Sequence, residues 1–269
     1  MERFFNTEGP VKAEKHYAID PLKRCNLSEI IELIHREKYF ILHAPRQTGK
    51  TSLMLALMDY LNDEGIYHCL YINTEVGQAA RENVYDAIHA ILSQLAIEAE
   101  GCLDDAYPLE IANKTLNEVG AFSALNSVLT RWSQHQTKPI VLLLDEVDSL
   151  VGDTLVSLLR QLRAGYNKRP ERFPQSIILC GVRDIQDYRI HASSEKAVIT
   201  GGSAFNIKAE SLRVGDLDKE ESLQLYKQHT NETGQQFTVD ALERLWGLSQ
   251  GQLPQKRDKR ITNKRVHFI

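Results

Sequence analysis

The sequence has few cysteines, and no pair of them is spaced to hold a metal. Four cysteines occur among 269 residues, and no two of them form a C-x-x-C pair. No combination of cysteine and histidine has the spacing of a zinc site. Cys69 and Cys180 lie in apolar stretches typical of strands, so we expect both to be small buried core residues.

Long apolar runs, internal repeats and a secretion signal are also missing. No apolar run approaches the length of about 18 residues that a membrane-spanning helix needs. The first nine residues, Met1 to Gly9, are too polar for a signal peptide. We therefore expect a protein of the reducing cytoplasm that makes no membrane contact.

The composition and length suit a globular chain with an uneven charge distribution. Hydrophobic residues make up 42% and charged residues 25%, which is ordinary for a protein that buries a core. The length suits one α/β domain and a small accessory domain.

The net charge is -4, yet residues 252–269 carry +5, which leaves -9 for the first 251 residues. An acidic body argues against tight, non-specific nucleic-acid binding by the core. The tail is predicted to be a solvated, disordered terminus, and contact with phosphates or another protein stays open. Its basic residues are Lys256, Arg257, Lys259, Arg260, Lys264 and Arg265.

Strands and helices alternate along most of the chain, which predicts a parallel sheet covered by helices on both faces. After Ser211 the pattern changes to helix only, with a capping-box start at Asp218 and Glu221 and a second helix opening at Thr238. This stretch predicts a small helical lid. Predicted strands are 39–43, 67–73, 140–144, 176–180 and, more weakly, 204–207; predicted helices are 26–37, 52–61, 83–99, 121–134 and 154–166.

A phosphate-binding loop is predicted between the first strand and the helix that follows it. The segment Ala44 to Thr51, APRQTGKT, fits the P-loop pattern G-x-x-x-x-G-K-[ST], except that Ala44 replaces the first glycine. Such a loop presents backbone N–H groups to phosphate oxygens, aided by the positive end of the helix. Lys50 is expected on the β and γ phosphates, and Thr51 on Mg²⁺. The phosphate-binding set is Pro45, Arg46, Gln47, Thr48, Gly49, Lys50, Thr51 and Ser52.

Two acids close the most apolar strand of the chain. Ile140 to Leu144 runs directly into Asp145 and Glu146, which looks like a Walker B strand. Asp145 would orient Mg²⁺ through its water shell, and Glu146 would polarise the attacking water. A carboxylate beside the Mg²⁺-binding Asp favours a hydrolase over a small-molecule kinase. Since no Asn-Lys-x-Asp guanine-reading sequence occurs, ATP is favoured over GTP.

Weaker signals surround these two motifs. Arg183, after the predicted strand Ser176 to Cys180, is a candidate γ-phosphate sensor, with an ion pair to a nearby acid as the alternative. Asn73 is either a partner of Glu146 or a turn-forming residue. His43 is expected to be a packed core histidine. Tyr17, Ile19, Pro21 and Arg24 precede the first helix and are candidates for flanking the adenine.

The chain resembles the bacterial AAA-like P-loop ATPase domains related to the STAND signalling ATPases. The resemblance is carried by KYFILHAPRQTGKTSLM (Lys38 to Met54), IVLLLDEVD (Ile140 to Asp148) and IILCGVRD (Ile177 to Asp184), and it covers roughly residues 10–251. It implies an ASCE-type core with a strand between the P-loop strand and the Walker B strand. Lys50 and Glu146 then carry over as catalytic residues together with Arg183 as the sensor, and Thr51 and Asp145 as metal-binding residues.

The expected organisation follows from the motifs and the resemblance. Residues 1–37 form an adenine-flanking segment and helix, 38–210 the ATPase core, 211–251 a partial lid and 252–269 the basic tail. Family members continue after the lid with Pro-Trp and further helices, whereas this chain has Gly251-Gln252-Leu253-Pro254 and a basic run. The lid is therefore expected to be truncated.

Three functions remain open at this point. The first is an Mg²⁺-dependent ATPase that acts as a conformational switch or assembly module, with an unidentified protein partner or self-association. The second is a nucleic-acid-associated ATPase, resembling a replication initiator or a transposition helper, which the acidic body disfavours. The third is an ATP-binding scaffold that does not hydrolyse, which the Asp145–Glu146 pair argues against.

Overall fold

The computed structural model describes residues 3–6, 9–182, 189–191, 198–200, 206 and 208–251. These residues fall into two compact units, each described below by itself. The first unit consists of the described residues within Met1–Cys25, Arg46–Leu53 and Val214–Ile269. The second consists of those within Asn26–Pro45 and Met54–Arg213.

A five-stranded parallel sheet forms the centre of the second unit. Its strands stand in the order β2-β3-β4-β1-β7, so β4 lies between the strand that precedes the loop and the strand that ends in Asp145. This order confirms the predicted ASCE-type core. A short antiparallel pair, β5 and β6, forms a separate ladder. The strands are β1 (Tyr39–His43), β2 (His68–Asn73), β3 (Ile140–Asp145), β4 (Ser176–Gly181), β5 (Arg189–His191), β6 (Val198–Thr200) and β7 (Lys208–Arg213).

Helices connect these strands as the alternating pattern predicts. The chain crosses from the first unit to the second within α2. The stretch 107–119, for which the sequence analysis predicts no helix, is helical, and α3 extends to Leu103 rather than Ala99. The helices are α1 (Leu27–His35), α2 (Lys50–Asp63), α3 (Val84–Leu103), α4 (Tyr107–Val119), α5 (Ala121–His135), α6 (Gly152–Ala164), α7 (Lys219–Thr233) and α8 (Val239–Ser249).

The hydrophobic core is buried on both faces of the sheet. One face packs alternate strand residues, such as Ile41, Leu70 and Leu142, against α3, α5 and α6. The strand residues of the opposite face, including Phe40 and Val141, are equally buried. Cys69 and Cys180 are buried, as predicted. The weaker strand prediction at 204–207 falls almost wholly outside the described residues, and the last strand of the sheet begins at Lys208.

The first unit joins an N-terminal segment to a helical hairpin. Tyr17 and His229 are in edge contact, and the amide of Gln228 exchanges two hydrogen bonds with the backbone of Ala18. The capping box at Asp218 and Glu221 and the side-chain cap at Thr238 are both present, which confirms the predicted helix starts.

A hydrogen bond joins the two ends of the hairpin of α7 and α8. The N–H of Leu217 donates to the carbonyl oxygen of Gly251 at 3.1 Å. Gly251 has a φ of +81°, and a Cβ at this position would lie 2.0 Å from the Leu217 carbonyl oxygen. Only glycine therefore fits here, because both the backbone angle and the close approach exclude a side chain.

A buried amide joins α5 to α6 and provides a test of the core. The Oε1 of Gln161 accepts from the N–H of Leu125 at 2.9 Å, and its Nε2 donates to the carbonyl oxygen of Ala121 at 3.0 Å. Changing Gln161 to methionine should lower the free energy of unfolding by about 1–3 kcal/mol, because buried polar partners lose their bonds. Denaturant unfolding measures this change. Gln134→Met, at an exposed position of α5, should stay within about 0.5 kcal/mol of the wild type, and an equal loss in both variants would contradict the assignment.

Of the helices in the described part of the chain, none is both long and apolar enough to cross a membrane.

Candidate active site

The predicted phosphate loop connects β1 to α2. Within it Gln47 and Gly49 have left-handed φ angles of +62° and +80°. The first α-helical hydrogen bond runs from the N–H of Leu53 to the carbonyl oxygen of Gly49 at 3.0 Å, so Gly49 caps the helix. The loop thus ends at the positive pole of a 14-residue helix, which is where an anion is stabilised.

The residues of the loop differ sharply in exposure. Thr48 and Lys50 are each only 5% exposed, whereas Pro45, Arg46 and Gln47 are exposed. Ala44, in place of the first glycine of the pattern, is buried, and its φ is not among the positive ones. Its N–H donates to the carbonyl oxygen of Gly181 at 3.3 Å. Alanine therefore suits this position, since neither its backbone angle nor its surroundings require glycine.

The N-terminal segment contacts the loop at two points within the first unit. The hydroxyl oxygen of Ser52 accepts a hydrogen bond from the N–H of Val11 at 3.0 Å. The guanidinium of Arg24 donates to the carbonyl oxygens of Thr48 and Gly215. Burial lowers the pKa of Arg24 from its ordinary value, while the nearby charges of Asp216 and Glu221 raise it. Sequence reasoning placed Arg24 beside the adenine; the contact with the loop has no signal in the sequence.

In the second unit, Asp145 ends β3 with its carboxylate fixed on both oxygens. Asp145 is fully buried. Its Oδ2 accepts from the hydroxyl of Tyr71 at 3.0 Å, and its Oδ1 from the N–H of Glu146 at 2.9 Å. The hydroxyl of Thr74 donates to its backbone carbonyl oxygen at 2.9 Å. Since β2 and β3 pair in register through Asn73 and Asp145, Tyr71 comes from the neighbouring strand.

The turn after β3 sets the position of the second acid. Glu146 has a left-handed φ of +53° and is half-buried, and a short 3-10 turn, Val147–Ser149, follows. The Oδ2 of Asp148 accepts from the N–H of Val182 at 3.3 Å, which fastens this turn to the end of β4. The Oδ1 of Asp148 is buried without a hydrogen-bond partner. A left-handed non-glycine residue beside a buried carboxylate is typical of functional turns.

The sequence-predicted residues therefore form two groups. Arg46 to Ser52 lie together in the first unit, whereas Pro45 belongs to the second unit, as do Asp145 and Glu146. β1 and β3 end at the same edge of the sheet with one strand between them, so their ends are about 10 Å apart. Asn73 accepts from the N–H of Glu75 at 2.9 Å, as the turn interpretation predicts. Arg183, the predicted sensor, and the tail 252–269 lie outside the described residues.

The two residues predicted to bind the metal, Thr51 and Asp145, offer oxygen donors rather than soft ligands. Within the residues that the structure describes, no three His, Cys, Asp or Glu side chains are grouped as a metal cage. The carboxylate of Asp145 and the hydroxyl of Thr51 are hard donors of the kind that Mg²⁺ takes. Mg²⁺ in nucleotide sites keeps several waters and takes other ligands from phosphates, so a full protein cage is not required.

Comparison with known proteins identifies the family. A family model described as nephrocystin 3, N-terminal, matches residues 26–174, more than half of the chain. The chain belongs to this family. The match spans the loop, Asp145 and Glu146, and together with the sheet order it confirms the resemblance to AAA-like P-loop ATPase domains. No curated protein matches the sequence.

Two solved structures are similar to this family member at low sequence identity. The Walker-type ATPase PABY2304 of Pyrococcus abyssi is 16% identical with a TM-score of 0.56, covering 93% of this chain and 67% of that one. Cdc6p from Pyrobaculum aerophilum is 17% identical with a TM-score of 0.47, covering 75% of this chain and 48% of that one. The chain thus spans about two thirds of the first structure and about half of the second. The first likeness shows a P-loop ATPase fold.

Proposed function

We propose that this chain binds ATP with Mg²⁺ and hydrolyses it to ADP and phosphate. The observation that carries the proposal is the fully buried carboxylate of Asp145, fixed by Tyr71 and followed by Glu146, at the sheet edge where β1 ends. A buried, doubly hydrogen-bonded carboxylate stays in one orientation, which is what a metal ligand at a phosphate site requires. The four free cysteines fit the predicted reducing cytoplasm.

The roles of the individual residues follow from their chemistry. Pro45 to Ser52 would hold the phosphates, and Lys50 would neutralise charge on the β and γ groups. Thr51 and Asp145 would hold Mg²⁺, which when bound neutralises charge on the phosphate oxygens. Glu146 would accept a proton from the attacking water. A sensor role for Arg183 remains a prediction.

Hydrolysis is proposed to serve a conformational switch or an assembly. The first unit holds the loop, the N-terminal segment and the hairpin of α7 and α8 in one compact body. A change at the loop would therefore act on the hairpin directly. The organisation predicted from the sequence, with 1–37 flanking the adenine, 38–210 as the core, 211–251 as a lid and 252–269 as a tail, is part of this proposal.

The direct test measures phosphate release from ATP by the purified chain. Release is expected with Mg²⁺ and not with excess EDTA. Adding duplex or single-stranded DNA should leave the rate unchanged, and a several-fold stimulation would favour the nucleic-acid-associated alternative. ATP binding without any turnover would instead favour the scaffold and contradict the proposed hydrolysis.

Removing the hydroxyl of Tyr71 should weaken the response to Mg²⁺. Tyr71→Phe removes the hydrogen bond from the Tyr71 hydroxyl to the Oδ2 of Asp145, and such a bond to a charged group contributes about 1.5–3 kcal/mol. We expect the Mg²⁺ concentration at half-maximal turnover to rise roughly tenfold, with the ATP affinity measured in EDTA unaltered. Tyr85→Phe, a half-exposed tyrosine of α3, is the matched control. An identical Mg²⁺ titration in Tyr71→Phe and wild type would show that Asp145 needs no such support.

A further inference from the structure

Arg24 occupies a junction between the phosphate loop and the segment that leads into α7. It closes the 3-10 turn Pro21–Arg24, which is capped by the carboxylate of Asp20. One Nη donates to the carbonyl oxygen of Thr48 in the loop, and the other donates to that of Gly215. Gly215 returns a backbone hydrogen bond, its N–H donating to the carbonyl oxygen of Arg24 at 3.3 Å.

The chemistry of the junction differs from that of an ordinary ion pair. Within the described parts of the chain, the side-chain hydrogen bonds of Arg24 go to main-chain carbonyl oxygens, and its Nε is buried without a partner. The guanidinium is planar, rigid and permanently charged, so it holds two acceptors at a fixed separation. A lysine ammonium lacks that fixed geometry.

The bond to Thr48 also orients the peptide that follows it. In a planar trans peptide the C=O and the N–H point in opposite directions. Holding the carbonyl of Thr48 toward Arg24 therefore aims the N–H of Gly49 to the opposite side. Gly49 belongs to the loop whose backbone N–H groups, in the P-loop pattern, cradle the phosphates. The bond from Arg24 to the Thr48 carbonyl thus fixes the direction of one of these N–H groups.

We propose that Arg24 is a positioning residue that couples occupancy of the phosphate loop to the segment leading into α7. Gly215 lies three residues before Asp218, the cap of α7, so a shift of the Thr48 carbonyl is transmitted through one side chain to the start of that helix. This inference rests on the proposed nucleotide binding and assigns its route of regulation.

The experiment measures nucleotide binding and backbone protection separately. Binding of a fluorescent, non-hydrolysable ATP analogue with Mg²⁺ gives the affinity. Hydrogen exchange of residues 214–234, with and without saturating analogue, gives the coupling. In the wild type, the analogue should slow exchange of this segment at least about tenfold.

Arg24→Gln and Arg24→Lys should separate the two readouts. Both variants should bind the analogue up to about a hundredfold more weakly, because hydrogen bonds to a charged group are lost. At saturation, neither should show protection of 214–234. Arg36→Gln is the control, since Arg36 follows the last residue of α1 as its C-cap, with its side chain 68% exposed and paired with Glu32 on the surface. It should match the wild type in both measurements.

Each outcome bears on a different claim. If the wild type binds no nucleotide, the proposed function fails. If the wild type binds the analogue and residues 214–234 are protected equally in wild type and Arg24→Lys, the coupling role of Arg24 is overturned. A wild type that binds the analogue without protecting this segment overturns it as well. Thermal melting shows whether Arg24→Gln is folded; should it unfold, Arg24→Lys, which keeps the charge, decides the question.

Discussion

Glutamine at position 146 should reduce phosphate release at least about a hundredfold while Mg-ATP remains bound, because general-base catalysis contributes roughly 10²–10⁴ in rate. The amide has the size of the carboxylate but cannot accept the proton of the attacking water. Glu146 is half-buried in a left-handed turn directly after the fixed Asp145, so its replacement leaves the bonds of Asp145 to Tyr71 and to the backbone unchanged. Single-turnover phosphate release and analogue titration measure the two effects.

The control for this prediction is Glu110→Gln, an exposed glutamate on α4. It should release phosphate at the wild-type rate. If Glu146→Gln retained more than about a tenth of the wild-type rate, another group would be the base, and the assignment of Glu146 would be withdrawn.

Alanine at position 50 should remove nucleotide binding. Lys50 is the first residue of α2 and is only 5% exposed, so its cation is held at the end of the loop rather than in bulk solvent. Each charge-assisted hydrogen bond to a phosphate contributes about 1.5–3 kcal/mol, so losing two of them weakens binding by at least about a hundredfold. Titration with a fluorescent ATP analogue measures the affinity.

Lys114→Ala, on the exposed face of α4, is the matched control. It should leave the affinity unchanged. The P-loop assignment would be abandoned if Lys50→Ala bound Mg-ATP as tightly as the wild type, provided that both proteins unfold at similar temperatures.

Much of the sheet was predictable because its strands are continuous apolar runs. The prediction for β1 matches the strand to the residue, and β3 ends within one residue of the predicted position. A strand buried on both faces leaves no room for polar interruption, so its ends are visible in the sequence.

The helix α4 was missed although Pro108 stands in its first turn, a position that favours helix starts. Its N-cap, Ala106, makes no side-chain cap, and the usual start signal is therefore absent.

The supporting residues of the candidate site were not predictable. Tyr71 meets Asp145 because β2 and β3 pair in one register, and no local pattern shows which side chain will contact another 74 positions away. Arg24 and Thr48 likewise meet only through the fold. The acids and the loop could be predicted because their chemistry depends on neighbours in sequence, whereas their partners depend on neighbours in space.

The bond between Leu217 and Gly251 has a mechanical consequence. The hairpin of α7 and α8 enters and leaves at one point, so a hairpin that turned together with the Ala18 segment bonded to Gln228 would do so about a single pivot beside Gly215. α7 has 15 residues and is about 22 Å long, so a turn of about 10° moves the tip near Gly234 by about 4 Å. The exit at Gly251 barely moves in such a turn. A partner bound at the tip would therefore sense displacement, while a partner bound at the pivot would sense rotation.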